Sequence, residues 1–348
     1  MNRPKVSVVM PVYNGERYLR EAIDSVLGQD FADYELLVIN DASTDASVEI
    51  IRAYRNPRIR LIQNNANLGL AGVRNVGLSE AVGEYLAWLD CDDVSASTRL
   101  AEQVEFLDTH QSVALCGSWV KTIGNKMGEV WRYPTKAGVL RSRMLFDDPV
   151  ATSAVMVRRE VLMRFGLRFD DRFPLAEDYD LWERVSRYGE VANIPKVLTY
   201  YRVHADQISS VNALRVGCSV WEIQERQLMK LGIQPSEAER ELHTNIGVKF
   251  NFLGDRDFVK ACKSWLHRLS DANACAKVYP EKAFKNVLAE RWYGICRAAS
   301  RHGFFAWRQF WDSPLAGDGY ISTKGRLRFW VECGMGAMHT GEDESAWK

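Results

Sequence analysis

Three aspartates form an acidic motif in the first third of the chain. Asp90, Asp92 and Asp93 directly follow an apolar run, Tyr85 to Leu89, that predicts a buried strand. Carboxylates that alternate at the exit of a strand bring two oxygen donors near one point, and Mg²⁺ or Mn²⁺ binds through carboxylates and substrate phosphates. The motif therefore predicts a metal site in which the cation neutralises a diphosphate leaving group. A solvated acidic turn before the next helix explains the same residues equally well.

Polar side chains also follow the first two predicted strands. Asp41 lies too far ahead of the helix beginning at Ala46 to cap it, and it could accept a hydrogen bond from a nucleobase edge. Tyr13 offers a ring for stacking on that base, although an aromatic residue there is often simply packing. Arg74 lies on a helix rich in small residues, where it could pair with a phosphate or a base carbonyl, or lie exposed as a surface charge.

Two further motifs lie in the middle of the chain. Glu177 and Asp178 open a predicted helix, where acidic side chains commonly complement the helix dipole. The functional alternative makes one of these carboxylates a general base for an acceptor hydroxyl. Arg202 and His204 follow a strand-like run, and their alternate positions place them on one face. Both could contact a diphosphate or its metal, whereas a lone histidine is otherwise an ordinary surface or core residue.

These motifs are positioned by an alternation of strand and helix patterns. The alternation predicts an α/β fold with a parallel sheet covered by helices on both faces, in which ligands bind at the carboxyl ends of the strands. From about residue 213 the sequence has helical periodicity and few strand signals. We therefore predict an α/β domain over residues 1–212 and a mainly helical region over 213–348, with a boundary near Val211. The predicted strands are 6–11, 36–39, 59–62 and 85–89, and the predicted helices are 16–27, 46–54, 71–81 and 98–107.

Composition excludes several classes of protein. The 348 residues include 45 basic and 45 acidic side chains, and this zero formal charge argues against a nucleic-acid partner, which needs a basic excess. The seven cysteines form no C-x-x-C pair, which fits reduced thiols better than disulfides or a zinc site. No apolar run approaches the roughly 18 residues of a membrane-spanning helix, and we find no secretion signal. We therefore expect a cytoplasmic protein.

Six motifs, taken in order, resemble family 2 inverting glycosyltransferases with the GT-A fold. They are Pro-Val-Tyr-Asn-Gly-Glu at 11–16, Asn-Asp-Ala-Ser-Thr-Asp at 40–45, Asn-Leu-Gly-Leu-Ala-Gly-Val-Arg-Asn at 67–75, Leu-Asp-Cys-Asp-Asp at 89–93, Glu-Asp at 177–178 and Tyr-Arg-Val-His at 201–204. The resemblance implies a Rossmann-like, mixed but mainly parallel sheet flanked by helices. The resemblance covers about the first 210 residues, and the shared order is more specific than any one motif. Ser97 departs from it, because many relatives carry proline after the acidic motif.

The resemblance implies a nucleotide-diphospho-sugar donor carrying UDP, GDP or dTDP. Pro11, Tyr13 and Asp41 would line the nucleoside pocket, with Arg74 nearby. The residues that the resemblance implies for donor binding are Pro11, Tyr13, Asp41, Arg74, Asp90 and Arg202.

The resemblance also implies a divalent cofactor, Mn²⁺ or Mg²⁺, and a catalytic base. Asp92 would be the direct metal ligand, with Asp90 in the same motif and His204 as either a metal ligand or a diphosphate contact. Asp178, next to Glu177, matches the base, which would accept the proton of an acceptor hydroxyl as its oxygen attacks the anomeric carbon. The implied role is in cell-surface polysaccharide or O-antigen assembly, on a saccharide or polyisoprenyl-diphosphate-linked acceptor.

Two alternative functions remain. A sugar-nucleotide nucleotidyltransferase would share the sheet and the metal, but it should carry a Gly-rich phosphate loop with Arg and Lys where this chain has Pro-Val-Tyr-Asn-Gly. A non-catalytic nucleotide-sugar-binding protein could retain the same motifs in a degenerate site. A donor-hydrolysis assay distinguishes these functions.

The C-terminal region mixes basic and aromatic residues. Between Lys285 and Arg328 there are eight Lys or Arg and three Asp or Glu, interleaved with six Trp and Phe residues, and Phe329 and Trp330 follow directly. This composition suits the anionic inner face of the plasma membrane or a polyisoprenyl diphosphate acceptor. The alternative is a helical appendage whose aromatic residues pack on the catalytic domain, and both interpretations stay open at this point.

Overall fold

The structure, a computed structural model, describes residues 3–205, 213–247, 255–316 and 322–340. The chain divides into two units, the first comprising Met1–Arg141 and Asp148–Ile223 and the second comprising Ser142–Asp147 and Gln224–Lys348. The predicted boundary near Val211 lies outside the described residues.

The described residues form nine strands, joined in one sheet. They are β1 (Val6–Val12), β2 (Tyr34–Asn40), β3 (Ile59–Gln63), β4 (Tyr85–Trp88), β5 (Val94–Ser95), β6 (Val113–Gly124), β7 (Val130–Trp131), β8 (Met156–Arg158) and β9 (Glu190–Val203). The helices before β9 are α1 (Leu19–Leu27), α2 (Ser47–Ala53), α3 (Gly69–Glu80), α4 (Arg99–Thr109), α5 (Ala137–Arg143), α6 (Arg159–Arg164) and α7 (Glu177–Val185).

The strand order is β3-β2-β1-β4-β8-β6-β9-β5, and β7 pairs with β6. The first four strands in this order are parallel, as is the β6–β9 pair, whereas the pairs β4–β8, β6–β8, β5–β9 and β6–β7 are antiparallel. Val9, at the centre of β1, is opposite Leu37 on one side and Trp88 on the other. The prediction of an α/β fold with a mixed sheet is therefore confirmed.

Strand β1 forms the core of the sheet because every side chain from Val6 to Val12 is buried, as expected of a β-branched strand covered on both faces. Helix α3 packs closely on it at Gly77, where a Cβ atom would lie 2.3 Å from Val9 Cγ1. The lack of a side chain at Gly77 therefore allows α3 to lie close to β1.

Helix α1 begins three residues later than the periodicity predicts, at Leu19 instead of Glu16. The backbone N–H groups of Gly15 and Glu16 donate to Ser47 Oγ at 3.0 Å and to Asp45 Oδ2 at 2.9 Å. These residues are therefore held in a loop by contacts that are distant in sequence, and a local pattern does not reveal them.

The later part of the chain is helical, as predicted. Its helices are Ala213–Lys230, Glu237–Gly247, Arg256–Ala276, Glu281–Ala298, Phe304–Trp311 and Thr323–Thr340. Trp292, Phe310 and Phe329 are fully buried within this second unit, so part of the aromatic composition forms its core. In the ranges that the structure describes, no helix is both long enough and apolar enough to cross a membrane.

Candidate active site

The loops that follow β1 and β2 are interlaced by hydrogen bonds. Asn14 Oδ1 accepts from the backbone N–H of Thr44 at 2.8 Å. Glu16 Oε2 accepts from the N–H of Ala46 at 3.0 Å, while the N–H of Glu16 donates to Asp45 Oδ2 at 2.9 Å. The first two sequence motifs therefore form one structural unit at the carboxyl edge of the sheet. We call this unit the paired loop, residues 13–16 and 41–46.

Asp41 is only 2% exposed, and it positions the start of α3. Its carboxylate accepts from Asn64 Nδ2 at 2.7 Å and from the backbone N–H groups of Leu68 and Gly69 at 3.0 and 3.1 Å. An anionic group at this end of α3 also complements the helix dipole. The residue thus caps a later helix, a role that sequence reasoning missed because the contacts span more than twenty residues.

The remaining predicted nucleoside-pocket residues differ in accessibility. Pro11 is buried within β1, whereas Tyr13, just past the strand end, has half of its surface exposed. The ring of Tyr13 is therefore open to a stacking ligand, and Pro11 shapes the strand beneath it.

Backbone strain occurs at three non-glycine residues beside these motifs. Asn14, Ala42 and Leu175 have φ angles of 51°, 59° and 64°, in the left-handed region that costs a residue with a Cβ atom about 1 kcal/mol or more. Asn14 and Ala42 belong to the paired loop, and Leu175 lies just before α7. Strained residues of this kind cluster at functional sites.

The acidic motif after β4 concentrates negative charge. Burial, together with the nearby carboxylate of Asp90, raises the pKa of Asp92. Asp93 is 1% exposed and accepts from the backbone N–H of Arg202 at 2.8 Å, and burial raises its pKa well above the ordinary value. His204 Nε2 lies 2.9 Å from Asp92 Oδ2. The structure therefore brings the motifs at 89–93 and 201–204 into direct contact.

The acidic motif and His204 supply only some of the ligands that a divalent cation needs. The Oδ2 atom of Asp92 and the Nε2 atom of His204 face each other. Because Asp90 and Asp92 repel each other, ionisation of both carboxylates is disfavoured unless a cation compensates. Within the described parts of the chain, no three His, Cys, Asp or Glu side chains are grouped so that they could hold a metal. A cation at Asp92 would therefore take further ligands from substrate phosphates or water, as Mg²⁺ commonly does.

Arg202 ties its strand to the acidic motif. Its Nε donates to the backbone carbonyl of Asp92 at 2.7 Å, and its Nη2 donates to Glu21 Oε2 at 2.6 Å. The guanidinium group also lies 4.5 Å from the centre of the Tyr18 ring. The residue thus has a structural role at the site in addition to any contact with a diphosphate.

Arg74 joins two of the acidic motifs. It is 4% exposed, so the alternative that Arg74 is an exposed surface charge is wrong. Its Nη1 donates to Glu177 Oε1 at 2.5 Å, and its Nη2 donates to Asp90 Oδ1 at 3.3 Å. Burial raises the pKa of Glu177 to about 7 even though the guanidinium opposes that rise. Glu177 is therefore committed to a buried ion pair.

Asp178 is held differently from its neighbour. It is partly exposed, and its Oδ2 accepts from Thr152 Oγ1 at 2.5 Å while its Oδ1 accepts from the N–H of Tyr179 at 2.8 Å. Ser153, which follows Thr152 in the chain, accepts from the N–H of Asp90 at 3.1 Å through its Oγ. Thr152 and Ser153 thus connect the two acidic motifs, and sequence reasoning missed both. We call these two residues the bridging turn.

These contacts gather most of the predicted site residues at one edge of the sheet. The residues connected there directly or through the bridging turn are Arg74, Asp90, Asp92, Glu177, Asp178, Arg202 and His204. Asp178 is the carboxylate of the Glu177–Asp178 pair that is open to a ligand.

Comparison with solved structures identifies the class of the fold. The crystal structure of S. aureus TarS 1-349 in complex with UDP matches 98% of this chain and 93% of that chain, with a TM-score of 0.54 and 20% identity. The mannosyltransferase PcManGT from Pyrobaculum calidifontis, in complex with GDP-Man and Mn2+, matches 98% of this chain and 89% of that chain, with a TM-score of 0.52 and 18% identity. The fold is that of the GT-A glycosyltransferases.

Sequence comparison then gives the family. The family model described as Glycosyl transferase family 2 matches residues 7–165. An uncharacterized glycosyltransferase of Haemophilus influenzae is 34% identical over 222 residues, which is 60% of this chain and 69% of that protein. The Escherichia coli protein named UDP-Glc:alpha-D-GlcNAc-diphosphoundecaprenol beta-1,3-glucosyltransferase WfaP is 30% identical over 206 residues, 59% of this chain and 80% of that protein. The chain belongs to glycosyl transferase family 2.

Proposed function

We propose that this enzyme is an inverting glycosyltransferase that moves a sugar from a nucleotide-diphospho-sugar to an acceptor hydroxyl. The observation that carries the proposal is the placement of Asp178, a partly exposed carboxylate that the bridging turn connects to the acidic motif. A base next to a cluster suited to a diphosphate and its cation is what single displacement at an anomeric carbon requires.

The donor side of the site is the carboxyl edge of β1, β2 and β4. Tyr13 has an exposed ring that can stack on a base, and the paired loop holds it in place. Structures of the distant relatives TarS and PcManGT are complexes with UDP and with GDP-Man, which supports a nucleotide-linked donor. The candidate donors are UDP-, GDP- and dTDP-linked sugars, and the donor panel described below distinguishes them.

The diphosphate would lie against Asp92, His204 and Arg202. Bound to Asp92 and His204, Mn²⁺ or Mg²⁺ would supply positive charge that stabilises the departing nucleoside diphosphate. Arg202 is fixed in place by Asp92 and Glu21, so its charge is preorganised and does not need to be ordered by the substrate.

Transfer then needs one proton movement by this chain. As the acceptor oxygen attacks the anomeric carbon, Asp178 takes the hydroxyl proton, and the bond from that carbon to the diphosphate oxygen breaks. Attack from the face opposite the leaving group inverts the configuration. Thr152 orients the carboxylate for this step, and Glu177 with Arg74 keeps the start of α7 in register with the acidic motif.

We further propose a saccharide or polyisoprenyl-diphosphate-linked acceptor, in cell-surface glycan assembly on the cytoplasmic face of the membrane. The printed name of the relative WfaP specifies a diphosphoundecaprenol-linked acceptor, which supports this assignment. The zero formal charge of the chain gives no support for a nucleic-acid partner.

A donor panel tests the proposed function. The full-length protein is incubated with Mn²⁺ and each of several UDP-, GDP- and dTDP-sugars, and release of the nucleoside diphosphate is measured with and without saccharide acceptors. We expect one donor to be consumed, and the product to carry the opposite anomeric configuration by NMR. Donor binding without turnover under any acceptor condition would instead indicate a non-catalytic binding protein. Release of pyrophosphate from a nucleoside triphosphate and a sugar 1-phosphate would indicate a nucleotidyltransferase.

A further inference from the structure

The helix Thr323–Thr340 has apolar side chains on two opposite faces. One face packs into the second unit through Phe329, which is fully buried. On the other face Leu327, Val331 and Met335 recur every four residues and are 64%, 44% and 48% exposed. Residues four apart lie one above the other on a helix, so these three form a continuous, largely exposed apolar stripe.

An exposed tryptophan and two exposed cations accompany this stripe. Trp330 is 48% exposed, and Lys324 and Arg328, four residues apart, are also exposed. The nearby acid, Glu332, accepts from Arg297 at 2.8 Å and from Arg328 at 2.9 Å, so two guanidinium groups share one carboxylate. Among the described residues, the charge around the stripe is therefore positive. We call Leu327, Trp330, Val331 and Met335, with Lys324 and Arg328, the basic apolar face.

We propose that the basic apolar face docks on an anionic phospholipid surface. Apolar side chains, an interfacial tryptophan and cations on one side of a helix are the combination that binds the boundary between headgroups and acyl chains. A bilayer supplies phosphates for Lys324 and Arg328. An interface with a second protein copy would instead bury Lys324, for which the described residues supply no acidic partner, and it would bury Arg328 with only the carboxylate that it shares with Arg297.

This inference deepens the proposed function, because an enzyme that uses a polyisoprenyl-linked acceptor must work at a membrane surface. It also refines the argument from composition, because several of the basic side chains between residues 285 and 328 are buried or paired and cannot contact lipid. Arg291 is buried and pairs with Asp147 at 2.5 Å, and Arg297 pairs with Glu332. The helix Thr323–Thr340 therefore offers a sharper target than the whole region.

Vesicle flotation of the full-length protein tests the proposal. The vesicles contain phosphatidylethanolamine with phosphatidylglycerol, or phosphatidylcholine alone. We expect binding to the anionic vesicles and at least a roughly tenfold loss in the double variant Leu327→Asp with Val331→Asp, because each side chain loses its apolar contribution. Replacing Lys324 and Arg328 with glutamine should weaken anionic binding roughly fivefold per cation. Met229→Asp is the matched control, since Met229 is 56% exposed on a different helix.

Three results would overturn the proposal. If the wild-type protein fails to float with anionic vesicles, the face does not bind lipid. Flotation of the double variant at the wild-type level, with circular dichroism showing that it is folded, would assign lipid binding to another surface. Light scattering that shows a wild-type dimer, which the double variant dissociates, would make a second copy the occupant. Donor turnover is measured separately without vesicles, so a protein that floats but consumes no donor contradicts the proposed function and leaves this inference intact.

Discussion

Thr152 donates a hydrogen bond of 2.5 Å from its hydroxyl to Asp178 Oδ2. The two residues are 26 positions apart, and this contact, together with the bond from the Tyr179 N–H to Oδ1, fixes the orientation of the carboxylate at the start of α7. Because Ser153 accepts from the N–H of Asp90, the same turn also supports the acidic motif. The proposed base and the proposed diphosphate site therefore share one support, and small changes in that turn should affect both.

Replacing Thr152 with valine should slow transfer without weakening donor binding. Valine has nearly the same shape but no hydroxyl, so Asp178 loses its positioning contact and we expect kcat to fall about tenfold with KM for the donor unchanged. Steady-state kinetics measures this split, and Thr152→Ser should restore most of the rate. A loss of equal size in the serine variant would mean that the methyl group, not the hydroxyl, matters.

Asp178→Asn should abolish transfer, with a loss of about a thousandfold or more, because general base catalysis typically contributes 10²–10⁴-fold. Donor binding, measured by calorimetry, should be retained. Glu177→Gln is the matched comparison: its carboxylate is buried against Arg74, so the variant should keep far more activity than Asp178→Asn. The reverse order of activities would transfer the base role to Glu177.

Asp92→Ala should remove the effect of metal on donor binding. Calorimetric titration of the donor with and without Mn²⁺ should show a metal-dependent gain in affinity for the wild-type protein and none for the variant. Asp257→Ala serves as control, since the Asp257 side chain is 85% exposed in the second unit. An undiminished Mn²⁺ effect in Asp92→Ala would remove Asp92 from the metal site.

Breaking the Arg74–Glu177 pair should destabilise the first unit. Arg74→Met leaves the buried Glu177 carboxylate without its cation, and removing one partner of a buried ion pair costs about 3–5 kcal/mol. Adding Glu177→Leu should recover much of that loss, because no charge is then left unpaired. Urea unfolding of the two single variants and the double variant measures the coupling, and strictly additive losses would contradict it.

The second unit should lose stability as the pH falls from about 6.5 towards 4. His243 is fully buried, with Nε2 2.9 Å from the carbonyl of Leu145 and Nδ1 accepting from Trp265 Nε1 at 3.2 Å, and burial lowers its pKa to about 4. The unfolded chain binds a proton in this range while the folded state does not, so protonation favours unfolding. The stability is fully present above pH 6.5.

The size of this effect is on the order of 3 kcal/mol, since one pKa unit corresponds to about 1.4 kcal/mol. Thermal unfolding as a function of pH should be less steep between pH 4 and 6.5 in His243→Gln than in the wild-type protein. His110→Gln, which alters an exposed histidine, should keep the wild-type slope. Identical slopes in all three proteins would show that His243 does not control the transition.

Much of the fold could be predicted because it depends on local patterns. The run Val6–Val12 is mainly apolar and rich in valine, so the assignment of residues 6–11 as a buried strand needed no tertiary information. The start of α1 was predicted too early, at Glu16, because bonds from the second loop hold Gly15 and Glu16 outside the helix. Contacts of that kind join residues about thirty positions apart and leave no periodicity in the sequence.

The candidate site, too, could be predicted only where local sequence patterns reveal it. A strand end suggested Asp90 and Asp92, and the acidic start of a predicted helix suggested Asp178, whereas the hydroxyl of Thr152 has no distinguishing sequence context. The capping of α3 by Asp41 was also hidden, because a carboxylate that binds backbone N–H groups looks the same in sequence as one that binds a ligand. The roles of these residues in catalysis stay predictions.

The paired loop has a consequence for engineering donor preference. Asn14 and Glu16 on one side bond to Thr44, Ala46 and Asp45 on the other, so each segment supplies the partners that the other lacks. A graft that imports only one segment from another transferase would leave hydrogen-bond donors and acceptors of the other segment without partners. Chimeras that exchange both segments together should fold, and natural sequences should change these positions as a set.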